Sequence, residues 1–255
     1  LVVVDGTSLS LTDDGSKGFG HVGTYSGGGR GLKALTSLAL TTDGTPLGIP
    51  CLFFWARQMP SHDDSRHRSF RRPGERESRY WRDVVDETAA RFSYDAPTTK
   101  LHFIADREFD ASLFMRHLID EGHAFTIRAQ GTRKALIDGE RVDLLRPLYE
   151  SRVCAAVKLQ VPAGAQRAAR TARLIVRAAK VDMLLRDSAT KQEKVKPLTI
   201  VWAYETGTCP RGERPIDWML YTTPNVATAQ DAVATVSRYA KRWRIEDFHR
   251  TWKRG

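Results

Sequence analysis

The chain has 255 residues, 41% hydrophobic and 27% charged, with 40 Lys and Arg against 30 Asp and Glu for a formal net charge of +10. That composition belongs to a folded globular protein of one large domain or two small ones, and it excludes disorder, collagen and coiled coil. There is no run of 18 apolar residues and no charged-then-apolar leader, so a membrane-spanning helix is excluded and a cytoplasmic protein with no membrane partner is expected.

The three cysteines, Cys51, Cys154 and Cys209, are odd in number and too far apart for a C-x-x-C knuckle, which fits a reducing compartment and buried packing roles. The basic excess favours a polyanionic partner, nucleic acid ahead of a membrane surface, because no basic amphipathic anchor is evident. Because it opens inside an apolar strand without Met and stops after a basic helix, the chain reads as a slice of a longer protein.

Leu1 to Val4 is a β-branched run ending at Asp5-Gly6, which predicts a buried strand with Asp5 near its end. Positions 15 to 31 hold eight of the 19 glycines but lack the Gly-Lys-Ser/Thr ending of a phosphate loop, so a hairpin connection is expected. Strands follow near Leu32 to Thr42 and Pro46 to Ala56, parted by Asp43-Gly44, and complete a three-stranded antiparallel meander. Between Arg57 and Arg82 stand eight arginines and four acids, broken by Pro60 and Pro73; such a segment packs poorly and reads as a mobile basic loop, solvated or in contact with phosphate.

From Ser78 the period turns helical, with Trp81, Val84, Val85, Thr88 and Phe92 on one face, until Pro97. Leu101 to Ala105 is a second buried strand that also ends in an acid, Asp106. A helix carrying Leu113, Phe114, Leu118 and Ile119 stops at Gly122, and Ala124 to Ile127 is a strand. From Ala129 to Thr222 the pattern becomes short alternating segments, such as Cys154 to Val161, Ala172 to Val181 and Thr199 to Tyr204. We therefore divide the chain into a core at 1–128, an inserted and mostly antiparallel β-subdomain at 129–222, and a return to the core at 223–255. One helix is expected from Thr228 to Lys253, and the stretch from Arg238 onward carries seven basic residues against two acids.

On that helix, at 100° per residue, Tyr239, Arg242, Glu246 and Lys253 share a stripe about 60° wide, with Trp243 and Arg250 beside it. Ile245, Phe248 and Trp252 form a separate apolar face. The lone acid of the stripe has two readings. Ion pairing with Arg242 and Arg250 would suffice. Alternatively, carboxylates at the ends of two strands and on one helix could gather hard divalent cations for phosphoryl transfer, with two Mg²⁺ activating the attacking oxygen and stabilising the leaving one.

The segment from Tyr239 to Lys253 fits Tyr-x₂-Arg-x₃-Glu-x₆-Lys. It resembles the YREK signature of bacterial cut-and-paste insertion-sequence transposases, the DDE group typified by the kanamycin-resistance composite transposon. Val4-Asp5-Gly6-Thr7-Ser8 is similar to that family's first Asp block and Ala105 to Asp110 to its second, and the blocks stand in family order. The resemblance implies an α/β, RNase H-like mixed sheet flanked by helices and split before the last helix by a β-sheet insertion. It implies Asp5, Asp106 and Glu246 as catalytic ligands of two Mg²⁺ or Mn²⁺ ions.

It also implies that Tyr239, Arg242 and Lys253 hold phosphates near a flipped base at the transposon end. An aromatic would support that base: Trp218 lies in the corresponding place, against a competing reading as a buried strand residue, and Trp243 is a further candidate. Arg107, Arg128, Arg133, Lys134 and Arg250 resemble, or lie beside, positions on the DNA path. Arg107 has an equal reading as the partner of Asp110, and Arg128, Arg133 and Lys134 as exposed charge. The seven histidines show no metal spacing and receive no chemistry.

The implied activity is cleavage and joining of double-stranded DNA at transposon ends through a hairpin intermediate, by a homodimer in the synaptic complex of a nucleoid-associated bacterial protein. The end-recognition and dimerisation regions of that family would lie outside this slice. Two rivals share some of these features. An RNase H-like nuclease or resolvase without strand transfer would use the three acids but leaves the basic stripe unexplained, and a decayed DNA-binding copy would not need intact carboxylates.

Overall fold

In a computed structural model of the protein, residues 1–12, 17–23, 29–57, 77–131, 133–164, 168–187 and 190–254 are described. The expected basic loop falls mainly on 58–76, outside them. The fold is mixed α/β, as expected, with a mostly antiparallel sheet and flanking helices. The chain divides into two compact units: Leu1–Phe103 with Ser188–Lys191 and Arg242–Gly255, and Ile104–Asp187 with Gln192–Lys241.

The first unit is built on the expected meander. Strand β1 (Val2–Ser10) pairs antiparallel with β3 (Arg30–Leu40), and β3 with β4 (Pro46–Trp55). A two-residue strand, β2 (Gly20–His21), also pairs with β3, so part of the glycine-rich connection is strand. The turn expected at Asp5-Gly6 does not form: the β1–β3 ladder runs on from Asp5↔Thr36 to Ser10↔Gly31, and ladder pairing overrides the local turn propensity. Only glycine fits at position 31, where a Cβ would lie 1.8 Å from the Leu9 carbonyl oxygen.

Every residue of β3 from Ala34 to Leu40 is buried, as in a strand covered on both faces. Its two central polar residues point to opposite faces and each meets a helix. On one face Thr88 of helix α1 (Arg79–Asp95) donates to the Ser37 hydroxyl at 2.8 Å, and Phe53, Trp55 and Tyr80 cluster beside it with ring centroids 4.7 to 6.2 Å apart. On the other, His249 of helix α5 (Trp243–Arg254) meets Thr36 at 3.1 Å, and Trp252 stacks on Phe248 and touches Phe54. Buried hydroxyls paired in this way avoid the desolvation penalty that would otherwise disfavour them in a core strand.

Strand β5 (His102–Ala105) straddles the boundary between the units and ends, as expected, just before Asp106. In the second unit a single 3-10 turn at Arg107–Phe109 leads to α2 (Ser112–Asp120), which ends at Gly122 in a left-handed conformation with φ 73°. The sheet of this unit runs β6 (Ala124–Arg128), β12 (Asp217–Thr222), β11 (Glu193–Glu205), β10 (Arg170–Arg186), β7 (Lys134–Ile137), β8 (Glu140–Asp143), with β9 (Val153–Val161) also on β10. The ladders β6–β12, β12–β11, β11–β10, β10–β9, β10–β7 and β7–β8 are antiparallel. A short helix, α3 (Leu145–Glu150), lies between β8 and β9.

Arg170 clasps the end of the long β10–β11 hairpin by bonding Glu205 and Glu213, which holds the Glu205 carboxyl below its usual range. Helix α4 (Ala229–Ala240) opens with the Thr228/Asp231 capping box and packs on β9, β10 and β11.

The single terminal helix expected from Thr228 to Lys253 is instead two, α4 and α5, with a break at Lys241-Arg242. Neither proline nor glycine causes it. The buried residues of α4 (Ala232, Thr235, Val236 and Tyr239) centre about 110° around a continuous helix from those of α5 (Ile245 and His249), so one straight helix could not seat both on one side. The link is closed by i to i+3 bonds, Arg238 O to Lys241 N and Arg242 O to Ile245 N.

Candidate active site

Asp5 and Glu246 belong to the first unit. Because Asp5 is the ladder partner of Thr36, both side chains face α5. There the buried His249 ring spans them, Nε2 3.1 Å from the Thr36 hydroxyl and Nδ1 3.8 Å from an Asp5 oxygen. Burial, and then the charge of Lys253 one turn on, push the His249 pKa down to about 4. The imidazole is therefore neutral at pH 7, and its approach to Asp5 is not an ion pair.

Glu246 lies one turn before His249 on the same side of α5. It is 43% exposed and accepts a 2.6 Å bond from Arg242, whose own side chain is almost buried. The helical ion-pair reading of Glu246 is thus realised with Arg242 but not with Arg250, which pairs with Asp247 at 3.1 Å. Lys253 is exposed and Trp243 half-buried.

Asp106 belongs to the second unit, where it caps the 3-10 turn after β5. Its carboxylate accepts a 3.0 Å hydrogen bond from the Tyr239 hydroxyl and lies 3.8 Å from the Arg128 guanidinium. Tyr239 is only 2% exposed, and its ring meets Trp218 edge-on at 4.8 Å. Trp218, 6% exposed, has its ring inside the unit, as the competing strand reading has it. Tyr239 therefore leaves the expected stripe, because it ends α4 while Glu246 and Lys253 stand on α5.

Arg107 and Glu108 are exposed. Of the two equal readings of Arg107, the pair with Asp110 is replaced: Arg133 binds the Asp110 carboxylate and backbone, and Gln130 N donates to the carboxylate at 2.7 Å. Arg133 is thus a half-buried structural cation and not a surface charge, and Lys134 pairs with Asp143. Sequence reasoning missed His249. The signal was its place three residues after Glu246, which a helix turns onto the same side.

Among the described residues no group of three or more His, Cys, Asp or Glu stands ready to hold a metal ion. Each of Asp5, Asp106 and Glu246 by itself carries a hard, partly accessible carboxylate, the donor type that Mg²⁺ takes.

The family described as Transposase DDE domain matches residues 73–255, that is 183 of the 255 positions. The chain belongs to that family: it is a DDE-type transposase domain, a DNA-binding recombination protein of mobile elements. The match includes Asp106, Tyr239, Arg242, Glu246 and Lys253, whereas Asp5 precedes it. No helix among the described residues is long and apolar enough to cross a membrane.

Proposed function

We propose that this domain cleaves and joins DNA at transposon ends as a member of the YREK, hairpin-forming group, with Asp5, Asp106 and Glu246 as its catalytic carboxylates. The carrying observation is the pair of prepared settings: Asp5 lies against the buried imidazole of His249, one helical turn on from Glu246, while Asp106 leaves a strand end oriented by Tyr239. In this reading 129–222 is the insertion that divides a core of 1–128 and 223–255.

A divalent ion, Mg²⁺ or Mn²⁺, held by these carboxylates would supply charge stabilisation at the reacting phosphate and a more nucleophilic oxygen. The protein's own groups bind and orient. Arg242, tied to Glu246, and the exposed Lys253 hold backbone phosphates. His249, neutral, lies against Asp5 without competing for it as a cation. Tyr239 orients Asp106 by donating to one of its carboxylate oxygens. Trp243 is the aromatic we assign to a flipped base, while Trp218, covered by Tyr239, backs that tyrosine. A water attacks first, the freed 3′-hydroxyl then attacks the opposite strand to form a hairpin, water reopens it, and the 3′-end joins target DNA. The likeness of the four steps is chemical: each is an in-line displacement at phosphorus with an oxygen leaving group.

The test uses the protein with its cognate transposon-end duplex and Mg²⁺ or Mn²⁺. Asp106→Ala is expected to abolish cutting while end binding stays within about twofold, since the ligand acts on the reacting centre and not on affinity. Normal cutting by that variant removes Asp106 from the catalytic set.

A further inference from the structure

Toward the start of β10 and the end of β11 the sheet of the second unit has a closed face and, beside α3, an open one; farther along, that second face is covered, with Val181 and Met183 of β10 and Leu198 and Ile200 of β11 buried. Ala172, Leu174 and Val176 of β10, Val201 and Ala203 of β11, and Trp218 of β12 are buried, on the side where α4 packs. Side chains alternate along a strand, so Arg173 and Arg177 of β10 and Trp202 and Tyr204 of β11 face the other way. The ladders confirm a common face: Trp202 is the partner of Arg177, Tyr204 of Ile175, and Lys158 on β9 of Arg173. Lys158 and Arg173 are exposed, and Arg177, Trp202 and Tyr204 are half-buried.

The aromatic rings form a continuous group. Trp202 and Tyr204 lie 4.4 Å apart at 36°, and Tyr149 of α3, 61% exposed, meets Trp202 edge-on at 5.4 Å. The Trp202 indole is fixed by donating to Asp217 at 2.8 Å, and Arg177 by donating to the Ser151 carbonyl. Asp217 is the one acid that the β10–β12 register adds to this face, against three cations. Lys158 and Arg173 stand directly opposite one another, and like charges so placed destabilise a sheet unless an anion lies between them.

We propose that this open face is a binding platform for single-stranded DNA, in which bases stack on the Tyr149, Trp202 and Tyr204 group and phosphates lie along Lys158, Arg173 and Arg177. Cations favour a polyanion, and flat rings beside them favour one with exposed bases, because base stacking on aromatics requires an unpaired strand. The proposal rests on the DNA-handling reading of the family but not on the carboxylate assignments, so either can fail alone: loss of cleavage tests the acids, and strand discrimination tests the platform.

Fluorescence anisotropy with labelled (dT)₂₀ and a 20-bp duplex tests it on the whole chain. Tyr149→Ala is expected to weaken (dT)₂₀ binding about fivefold or more, and Tyr149→Phe to restore it, because the ring and not the hydroxyl stacks. Duplex affinity should stay within about twofold. Arg173→Ala should lower the salt slope for (dT)₂₀ by about 0.7, one phosphate contact. Because Tyr149 and Arg173 are exposed, unchanged melting curves check that both variants fold. Equal loss of single-strand and duplex binding, unchanged (dT)₂₀ affinity in Tyr149→Ala, or equal competition by polyglutamate would overturn the platform.

Discussion

Asp5 lies in the middle of β1, on a strand pair whose partner β3 is buried along seven consecutive residues and clamped by α1 on one face and α5 on the other. Asp106 lies just past a four-residue strand, at the start of a single 3-10 turn, and is held by the Tyr239 hydroxyl and approached by Arg128. The first carboxylate takes its position from backbone pairing, whereas the second depends on side-chain bonds. Positions fixed by a ladder should resist single substitutions nearby. Positions fixed by side chains should be sensitive to the loss of one atom.

The largest expected effect falls on the turn that follows Asp106. Arg133→Ala leaves the Asp110 carboxylate, which is nearly fully buried, without its cation, and breaking a buried pair from one side costs about 3 to 5 kcal/mol. Urea unfolding measures it, and a loss under 1 kcal/mol would mean that Asp110 finds water or another partner. Tyr239→Phe removes only the hydroxyl that bonds Asp106, and a hydrogen bond to a charged group contributes about 1.5 to 3 kcal/mol. Combined with Asp106→Asn in a double-mutant cycle, it should show clear coupling. Additive losses would show that Tyr239 does not hold the carboxylate.

On the Asp5 side the sensitivity is to pH. His249 has a folded pKa near 4 against an ordinary value of 6.5, so the folded state resists taking up the proton. Its neutral form contributes fully above pH 6.5, and that contribution is lost as pH falls through 6.5 towards 4. His249→Gln should flatten the loss of stability over this window, and an unchanged profile would mean that the imidazole is not desolvated. The smallest effect belongs to Arg250→Ala, whose pair with Asp247 is half-exposed and should contribute under about 0.5 kcal/mol. A greater thermal shift would point to a contact beyond that pair.

Much of the framework was legible because its signals are local. The β1–β3–β4 meander, α1 up to Pro97, β5 before Asp106, α2 up to Gly122 and the helix start at Thr228 follow from alternation, helical period and turn signals. Misreadings arose where a distant partner overrode a local preference. Asp5-Gly6 reads as a turn by composition but is carried through by nine paired residues of β3. The terminal helix reads as one by its period but divides where its buried face changes direction. In the site, the acids and the Tyr-Arg-Glu-Lys spacing were readable. The partners of those residues were not: Arg133 rather than Arg107 on Asp110, His249 beside Asp5, and Tyr239 turned inward on Asp106.

By itself the sequence determined residue chemistry, periodicity and order: a basic chain with acids at positions 5, 106 and 246 and a spaced signature specific enough to mark the family. Only the tertiary structure decided which charges are neutralised, which rings are covered and where a helix must break. Those outcomes depend on which groups share a desolvated neighbourhood, and residues more than a hundred positions apart, such as Asp106 and Tyr239, enter one only when the chain is folded.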